Sequence, residues 1–180
     1  METAYTRKKE FKKFMGRTLY SWDVEEMAET LDKRGFFTAP ASTKFHGNYE
    51  GGLYDHSLAV ARNLIRLTDA LDLKWKRDSS PYIVGMLHDL CKLDRYVYKD
   101  GEYKIAAGQL MDGHGSLSAI LAQRICGFPL TNEEILCIRW HMGAFDDKEN
   151  WKYYTQSIEA YPNVLYTHTA DMMASRIEGV

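Results

Sequence analysis

An apolar segment that ends in three ionisable residues constrains the fold of this chain more than any other feature. Ser80 and Pro81 are typical of a helix start, with the serine as N-cap and the proline in the first turn. The residues that follow are mostly apolar, which predicts a buried helix from Ser80 to about Lys92. At its end, His88, Asp89 and Lys92 stand where a core helix would carry Leu or Ala.

These three side chains predict a binding site beside the helix. Adjacent helical residues differ by about 100° in direction. The side chains of His88 and Asp89 can therefore reach one point only if both border a cavity beside the helix. Lys92 lies three residues after Asp89 and four after His88, over the same face. Two potential metal ligands with a cation one turn away indicate a site that holds a metal and an anion.

Most of the remaining sequence follows helical spacing. We predict helices within residues 5–20, 22–33, 53–71, 116–126 and 131–143, and one from Tyr161 onward. Thr131 opens its helix with a capping box, and residues 144–157 are expected to form a surface loop or a short helix. Asp100-Gly101 lies among aromatic and β-branched residues, which predicts a short hairpin over 96–105. The fold class is therefore expected to be all-α, with at most this hairpin.

Composition excludes several classes of protein. The chain has 180 residues, 45% of them apolar and 27% charged, which suits one domain with a sizeable core. The net charge of −2 gives no global basic field for nucleic acid, although residues 7–17 carry a basic cluster. Three scattered cysteines favour reduced thiols, and no signal peptide or membrane span is expected. We expect a cytoplasmic protein with no membrane partner.

A set of ligand-type residues recurs beside apolar positions along the chain. Its members are His56, His88, Asp89, His114, His141 and Asp171. Burial of so many imidazoles and carboxylates is costly unless something pairs them. Six such ligands with one bridging carboxylate suit two metals about 3.5–4 Å apart, and Asp89 is the natural bridge. The mixture favours Mn, Fe, Co, Ni or Zn over Ca or Mg, and a hydroxide shared by two such ions is a nucleophile near neutral pH.

The same order of residues resembles the HD superfamily of metal-dependent phosphohydrolases. The resemblance covers about 125 of the 180 residues. Two further motifs are similar to the catalytic domain of HD-type bacterial 3′–5′ exoribonucleases. They are His46 … Gly51-Gly52-Leu53 … His56-Ser57 and Ala170-Asp171-Met172. His88-Asp89-Leu90-Cys91-Lys92 is similar to the H-D-x-x-K motif, although Cys91 stands where the family often has Gly.

The resemblance implies a role for each matching position. One metal would be held by His56, His88, Asp89 and Asp171, and the second by Asp89, His114 and His141. Lys92 would bind the scissile phosphate, with Lys44 and His46 at the mouth of the site and Arg95 as a further substrate-binding candidate. His168, one turn before Asp171, is expected to make a core hydrogen bond instead. The implied domain spans 1–180, with N-terminal helices in 1–35, a loop at the mouth in 36–52 and a metal-binding core in 53–180.

The resemblance implies an HD-domain phosphohydrolase, acting as a phosphomonoesterase or a phosphodiesterase. The expected substrate is a nucleotide or short oligonucleotide, cleaved by in-line attack of a metal-bound hydroxide, with Asp89 and Lys92 as the catalytic residues. The few cations near the ligands favour a small substrate over a long strand. Two alternatives stay open: an HD-type di-iron oxygenase, and a module that senses nucleotides without turnover.

Overall fold

A computed structural model describes residues 3–107 and 113–180 of the chain. The α-helices are α1 (Ala4–Met15), α2 (Ser21–Lys33), α3 (Gly52–Leu71), α4 (Ser80–Leu87), α5 (His114–Ile125), α6 (Asn132–Arg139), α7 (Trp151–Ala160) and α8 (Asn163–Met172). Short 3₁₀ turns occupy Leu90–Asp94, Gly143–Phe145 and Lys148–Asn150, and a π-helical segment, Met173–Glu178, continues α8. The strands are β1 (Tyr96–Lys99) and β2 (Glu102–Ile105). The prediction of an all-α fold with a short hairpin is confirmed.

Two glycines allow the helices that bear ligand-type residues to approach each other closely. A Cβ built on Gly85 of α4 would lie 2.3 Å from the Cα of Ala61 in α3. A Cβ on Gly115 of α5 would lie 2.0 Å from the backbone oxygen of Arg139 in α6. Only glycine fits at such separations, so the sequence permits two tightly packed helix pairs, α3 with α4 and α5 with α6.

The helix that opens at Ser80 ends earlier than its sequence predicts. It stops at Leu87, and the predicted continuation to Lys92 is replaced by a separate 3₁₀ turn. The amide of Cys91, which would bond to the Leu87 carbonyl in a continuous helix, donates to the Ser118 hydroxyl at 3.1 Å. A contact with α5 therefore breaks the helix, and Asp89 adopts the non-helical dihedrals φ −111° and ψ 19°.

A buried carboxylate fastens the start of α4 to the start of α6. Glu134, fully buried, accepts a hydrogen bond from the Ser80 hydroxyl at 2.8 Å and from Arg77 at 3.0 Å. The same side chain completes the predicted capping box, because the Thr131 amide donates to it at 2.8 Å while the Glu134 amide donates to the Thr131 hydroxyl. The N-terminal ends of both helices are thereby held together.

The predicted hairpin is present between the 3₁₀ turn and α5. Its strands pair antiparallel, with Tyr98 opposite Tyr103, and the turn residues Asp100 and Gly101 have φ angles of 57° and 85°. Positive φ at both positions is the geometry that makes Asp-Gly a hairpin signal. Asp112, in the segment before α5, lies outside the described residues.

The N-terminal helix is tied to the core by a buried ion pair. Arg7, 5% exposed, donates from Nε and Nη2 to the two carboxylate oxygens of Asp55 at 3.0 and 3.1 Å. Asp55 precedes His56 in the first turn of α3, so the pair also fixes the segment that carries a ligand-type residue. The three cysteines are free and buried. Within residues 3–107 and 113–180, we find no helix with the length and apolar character needed to cross a membrane.

Candidate metal centre

The structure brings all six ligand-type residues to one place. His56 lies in the first turn of α3, His88 and Asp89 directly follow α4, His114 opens α5, His141 follows α6 by two residues, and Asp171 lies at the end of α8. Neighbouring rings are close, with centroids 4.9–5.2 Å apart for the pairs His56–His88, His88–His141 and His114–His141. Five separate segments thus contribute to one buried cluster.

Backbone carbonyls fix the orientation of three of these imidazoles. The Nδ1 atom of His88 donates to the carbonyl of Gly85 at 2.8 Å, and that of His141 donates to Ile138 at 2.7 Å. His56 Nδ1 donates to the carbonyl of Val180 at 2.9 Å. A carbonyl only accepts, so Nδ1 of each ring carries a proton, and Nε2 of each ring faces the cluster. Metal-binding histidines are oriented in this way.

Asp89 lies at the centre of the cluster, and its two carboxylate oxygens face different histidines. Oδ1 lies 2.6 Å from Nε2 of His114 and 3.6 Å from Nε2 of His141. Oδ2 lies 3.6 Å from Nε2 of both His56 and His88. One oxygen therefore faces each pair of rings, which is the arrangement that a bridging carboxylate requires.

The cluster contains buried acceptors that lack a proton donor. His141 Nε2 is buried without a hydrogen-bond partner among the described residues. The Nε2 atoms of His56 and His88 are 3.3 Å apart, and both rings carry their proton on Nδ1. Two lone pairs that face each other at this distance are stabilised by a cation between them. The donor set therefore fits a bound metal.

Three overlapping groups have donor atoms close enough to share an ion. They are His56, His88 and Asp171; His88, Asp89 and His141; and Asp89, Cys91 and His114, each with ligand atoms within 4.8 Å of one another. Cys91 Sγ lies 3.3 Å from Nδ1 of His114, so a thiol stands where the other rings have a carbonyl. The residues can hold metal ions, in agreement with the expectation of a metal cofactor.

Electrostatics keep the site in a form that can bind metal. Burial lowers the pKa of His88 to about 3, so its ring is neutral. Burial favours the neutral form of Asp89, but the cation of Lys92 and the neighbouring histidines together outweigh it and hold the carboxyl pKa well below its usual range. Lys92 Nζ lies 2.5 Å from Asp89 Oδ2, and this carboxylate raises the lysine pKa against the opposing effect of burial. The site therefore holds His88 as a neutral imidazole, Asp89 as a carboxylate and Lys92 as an ammonium side by side.

A cavity of about 240 Å³ opens onto this cluster. Asp89, Lys92, His114 and Asp171 line it, together with His46 from the predicted mouth loop. Lys92 is only 8% exposed, so its ammonium faces the cavity rather than bulk water. Burial lowers the pKa of His46 to about 4, which makes this residue a neutral donor or acceptor at the mouth.

Two predicted substrate-binding residues lie apart from the cavity. Lys44 is exposed, and neither it nor Arg95 is among the described residues that line the cavity. Lys44 is separated from the lining residue Ser42 by one position and belongs to the same loop. The roles of both cations stay predictions.

Several cavity residues were missed by sequence reasoning. They are Tyr96, Met142, Phe145, Met172 and Arg176. Two of them had a signal, because Tyr96 opens the predicted hairpin directly after the H-D-x-x-K motif and Met172 belongs to the Ala170-Asp171-Met172 motif. His168 also lines the cavity, and its Nδ1 donates to the His141 carbonyl at 2.7 Å, which is the kind of core hydrogen bond expected of it.

Comparison with known proteins gives one informative similarity. No protein-family model matches the chain, and no solved structure matches it. Over 149 residues the chain is 32% identical to the dihydroneopterin 2′,3′-cyclic phosphate phosphodiesterase of Methanocaldococcus jannaschii. The alignment covers 79% of this chain and 53% of that protein, so the chain spans about half the length of the curated relative it matches.

Proposed function

We propose that this chain is an HD-type, metal-dependent phosphohydrolase that cleaves a phosphodiester in a small, nucleotide-like molecule. The observation that carries the proposal is the convergence of three carbonyl-oriented imidazoles on Asp89, with the buried ammonium of Lys92 beside it. The similar archaeal protein is a phosphodiesterase of a cyclic phosphate, which supports the same reaction class here.

The proposal includes two metal ions with Asp89 between them. Two ions are supported by the directions of the two carboxylate oxygens, because Oδ2 faces His56 and His88 while Oδ1 faces His114 and His141. Asp171 Oδ1, 3.2 Å from His56 Nε2, would complete the first set. Divalent transition-metal ions held here would polarise a phosphoryl oxygen and make water in the site easier to deprotonate.

The chain's own residues would position the phosphoester and neutralise its charge. Lys92 presents three N–H donors and no acceptor, so its ammonium binds a phosphoryl oxygen and stabilises the charge that develops during displacement. Burial strengthens this interaction because little water competes for the donor. Arg176 is exposed at the edge of the cavity, and its guanidinium is a second cationic partner for the phosphoester, after the ammonium of Lys92. Asp89 keeps Lys92 in place through their ion pair.

The size of the cavity favours a small substrate. A volume of about 240 Å³ holds a phosphate and part of a sugar, but it is below the roughly 300–1,000 Å³ of sites that enclose a whole small ligand. Cyclic nucleotides and short oligonucleotides both satisfy this limit, because each presents one phosphodiester at a time. The exoribonuclease similarity and the cytoplasmic location stay predictions from the sequence.

Protein reconstituted separately with Mn, Fe, Co, Ni and Zn tests the proposal. We expect release of a phosphomonoester from 2′,3′-cyclic nucleotides or dinucleotides, and slower release of inorganic phosphate from the corresponding mononucleotides. Oxygen consumption by the iron-loaded protein without phosphoester cleavage would favour the oxygenase alternative. Tight nucleotide binding with no turnover for any metal would favour the sensing alternative.

A further inference from the structure

A second, larger cleft adjoins the metal cavity. Its volume is about 840 Å³, and it lies between the hairpin and the segment that runs from the end of α2 into the loop before α3. On the loop side its walls include Pro40, Tyr49 and Glu50. The hairpin contributes Tyr96, Tyr98 and Tyr103. Nothing in the chemistry proposed above uses this cleft.

The hairpin presents three tyrosines on one face. Tyr96 and Tyr98 are two positions apart on β1, and Tyr98 is paired directly with Tyr103 on β2, so their side chains share a side of the ribbon. The Tyr98 and Tyr103 rings meet edge to face, with centroids 5.0 Å apart. Tyr98 is nevertheless 67% exposed, and Tyr49 on the opposite wall is 43% exposed. Exposed aromatic faces in a concave site suit a planar ring.

Tyr96 connects the cleft to the metal cavity. It lines both, so the two spaces share this side chain as a common wall. A phosphoester held by Lys92 therefore has its other substituents next to the entrance of the cleft. Because the metal cavity is too small for an entire nucleotide, a base attached to the sugar must lie outside it.

Among the residues that the structure describes, the charged side chains that line the cleft are two carboxylates and the guanidinium of Arg34. Glu50 and Glu102 both line it, and Glu102 is already paired with Lys104 at 3.3 Å. Within the described part of the chain, Glu50 forms no ion pair, and it lies close enough to Tyr103 to help raise that phenol's pKa, after burial. A carboxylate only accepts hydrogen bonds, so it favours a ring edge with two adjacent N–H donors. Guanine and pterin share such a 2-amino-4-oxo edge, whereas cytosine and adenine lack it.

We infer that this cleft, which we call the tyrosine cleft, binds the heterocyclic ring of the substrate and selects a 2-amino-4-oxo heterocycle. Tyr98 and Tyr103 stack on the ring, and Glu50 accepts hydrogen bonds from its N–H edge. The inference rests on the proposed phosphoester activity, since the same molecule would place its phosphate beside Lys92.

Binding of phosphate-free probes tests the cleft independently of catalysis. Metal-reconstituted protein is titrated with guanosine, neopterin, adenosine and cytidine, and the changes in tyrosine fluorescence and in NMR spectra are followed. We expect guanosine or neopterin to bind at least about 10-fold more tightly than cytidine, and the tighter of the two identifies the source of the ring. In Tyr98→Ala, loss of one stacking face should weaken that binding by about 10-fold or more. Glu50→Gln should remove the preference over cytidine.

A kinetic comparison separates this inference from the proposed function. Tyr98→Ala should raise KM for the 2′,3′-cyclic phosphate of the preferred nucleoside, yet leave turnover of the base-free 2′,3′-cyclic phosphate of methyl riboside unchanged. Tyr5→Ala, in a 77% exposed tyrosine on α1 outside the cleft, is the matched control and should change neither value. Equal affinity for guanosine and cytidine, or unchanged KM in Tyr98→Ala while hydrolysis persists, would overturn the inference. Ring binding without hydrolysis of any phosphoester would support the cleft and contradict the proposed function.

Discussion

Asp89 is the residue on which both halves of the candidate metal centre depend. Asp89→Asn removes the charge that its two oxygens share between His56 and His88 on one side and His114 and His141 on the other. We expect the content of both metals to fall, as measured by elemental analysis after reconstitution and dialysis. His141→Ala should mainly deplete one ion. A metal content in Asp89→Asn equal to that of the unmodified protein would contradict the bridging role.

Lys92 combines a predicted catalytic role with a structural one. In Lys92→Met, loss of one donor to the developing charge should lower turnover by about 10²–10³ with metals retained. Without metal, Asp89 loses its 2.5 Å cationic partner and stays buried. Removing one member of a buried pair costs about 3–5 kcal/mol, so urea should unfold the metal-free variant more easily.

Metal loading should restore most of the stability that Lys92→Met loses, because the ions compensate the Asp89 charge. Lys33→Met, in an exposed lysine on α2, controls for loss of a positive charge and should alter neither stability nor turnover. Normal turnover in Lys92→Met would show that the ammonium does not act on the phosphoester.

At the scale of secondary-structure elements, the distance between α5 and α6 sets the separation of His114 and His141. In Gly115→Ala, the new methyl group would collide with the Arg139 carbonyl, since its ideal position is 2.0 Å from that oxygen. The helices must move apart, which should lower the free energy of unfolding by about 1–3 kcal/mol and weaken metal binding. Urea unfolding and metal titration measure the two effects.

A glycine just beyond α5 provides the control for that substitution. A Cβ on Gly127 would lie 3.4 Å from the flexible carboxylate of Glu26, an ordinary contact. Gly127→Ala should therefore retain both stability and metal affinity. Equal metal affinity in Gly115→Ala and Gly127→Ala would contradict the role of the α5–α6 approach.

Helix starts were more predictable than helix ends. Thr131 acts through Glu134, three residues away, so its signal can be read locally. Ser80 lies at the predicted start of α4 but is not its N-cap, because Ser79 holds that position and the Ser80 hydroxyl donates to Glu134, 54 residues away. The end of α4 depends on Ser118, which is 27 residues from Cys91 and captures its amide. The hydrogen bonds that orient the histidine rings likewise include some with partners near in sequence and one with a distant partner. His88 and His141 use carbonyls three residues away, whereas His56 uses Val180, 124 residues away.

At the scale of the whole molecule, the arrangement of positive charge supports a small substrate. In the basic N-terminal cluster, Arg7 pairs with Asp55, Lys8 contacts Glu29 and Asp32 at 2.7 and 2.8 Å, and Lys12 contacts Glu25 at 2.6 Å. The sequence showed the cluster but could not show that acidic groups of α2 and α3 face it. Much of its charge is thus compensated within the protein and is not available to a nucleic-acid strand.

We therefore predict faster cleavage of cyclic nucleotides and dinucleotides than of long single-stranded RNA or DNA. Rates should depend weakly on salt, because few phosphates are bound at once. Measuring kcat/KM for each substrate across a salt series checks both statements. A long strand that is cleaved faster, with a steep loss of rate as salt rises, would be the opposite result and would give the N-terminal lysines a functional role.

Because Glu134 holds the starts of α4 and α6 together, the protein should tolerate insertions and deletions in only some parts of the chain. α4 and α6 each have 8 residues, they start from the same carboxylate, and each is followed within two residues by a histidine of the cluster. One inserted residue advances a helix by about 1.5 Å and turns it by about 100°. An insertion in only one helix would separate His88 from His141, whose ring centroids are 4.9 Å apart. Insertions and deletions compatible with metal binding should therefore fall in the connecting segments, such as 72–79, and not within either helix.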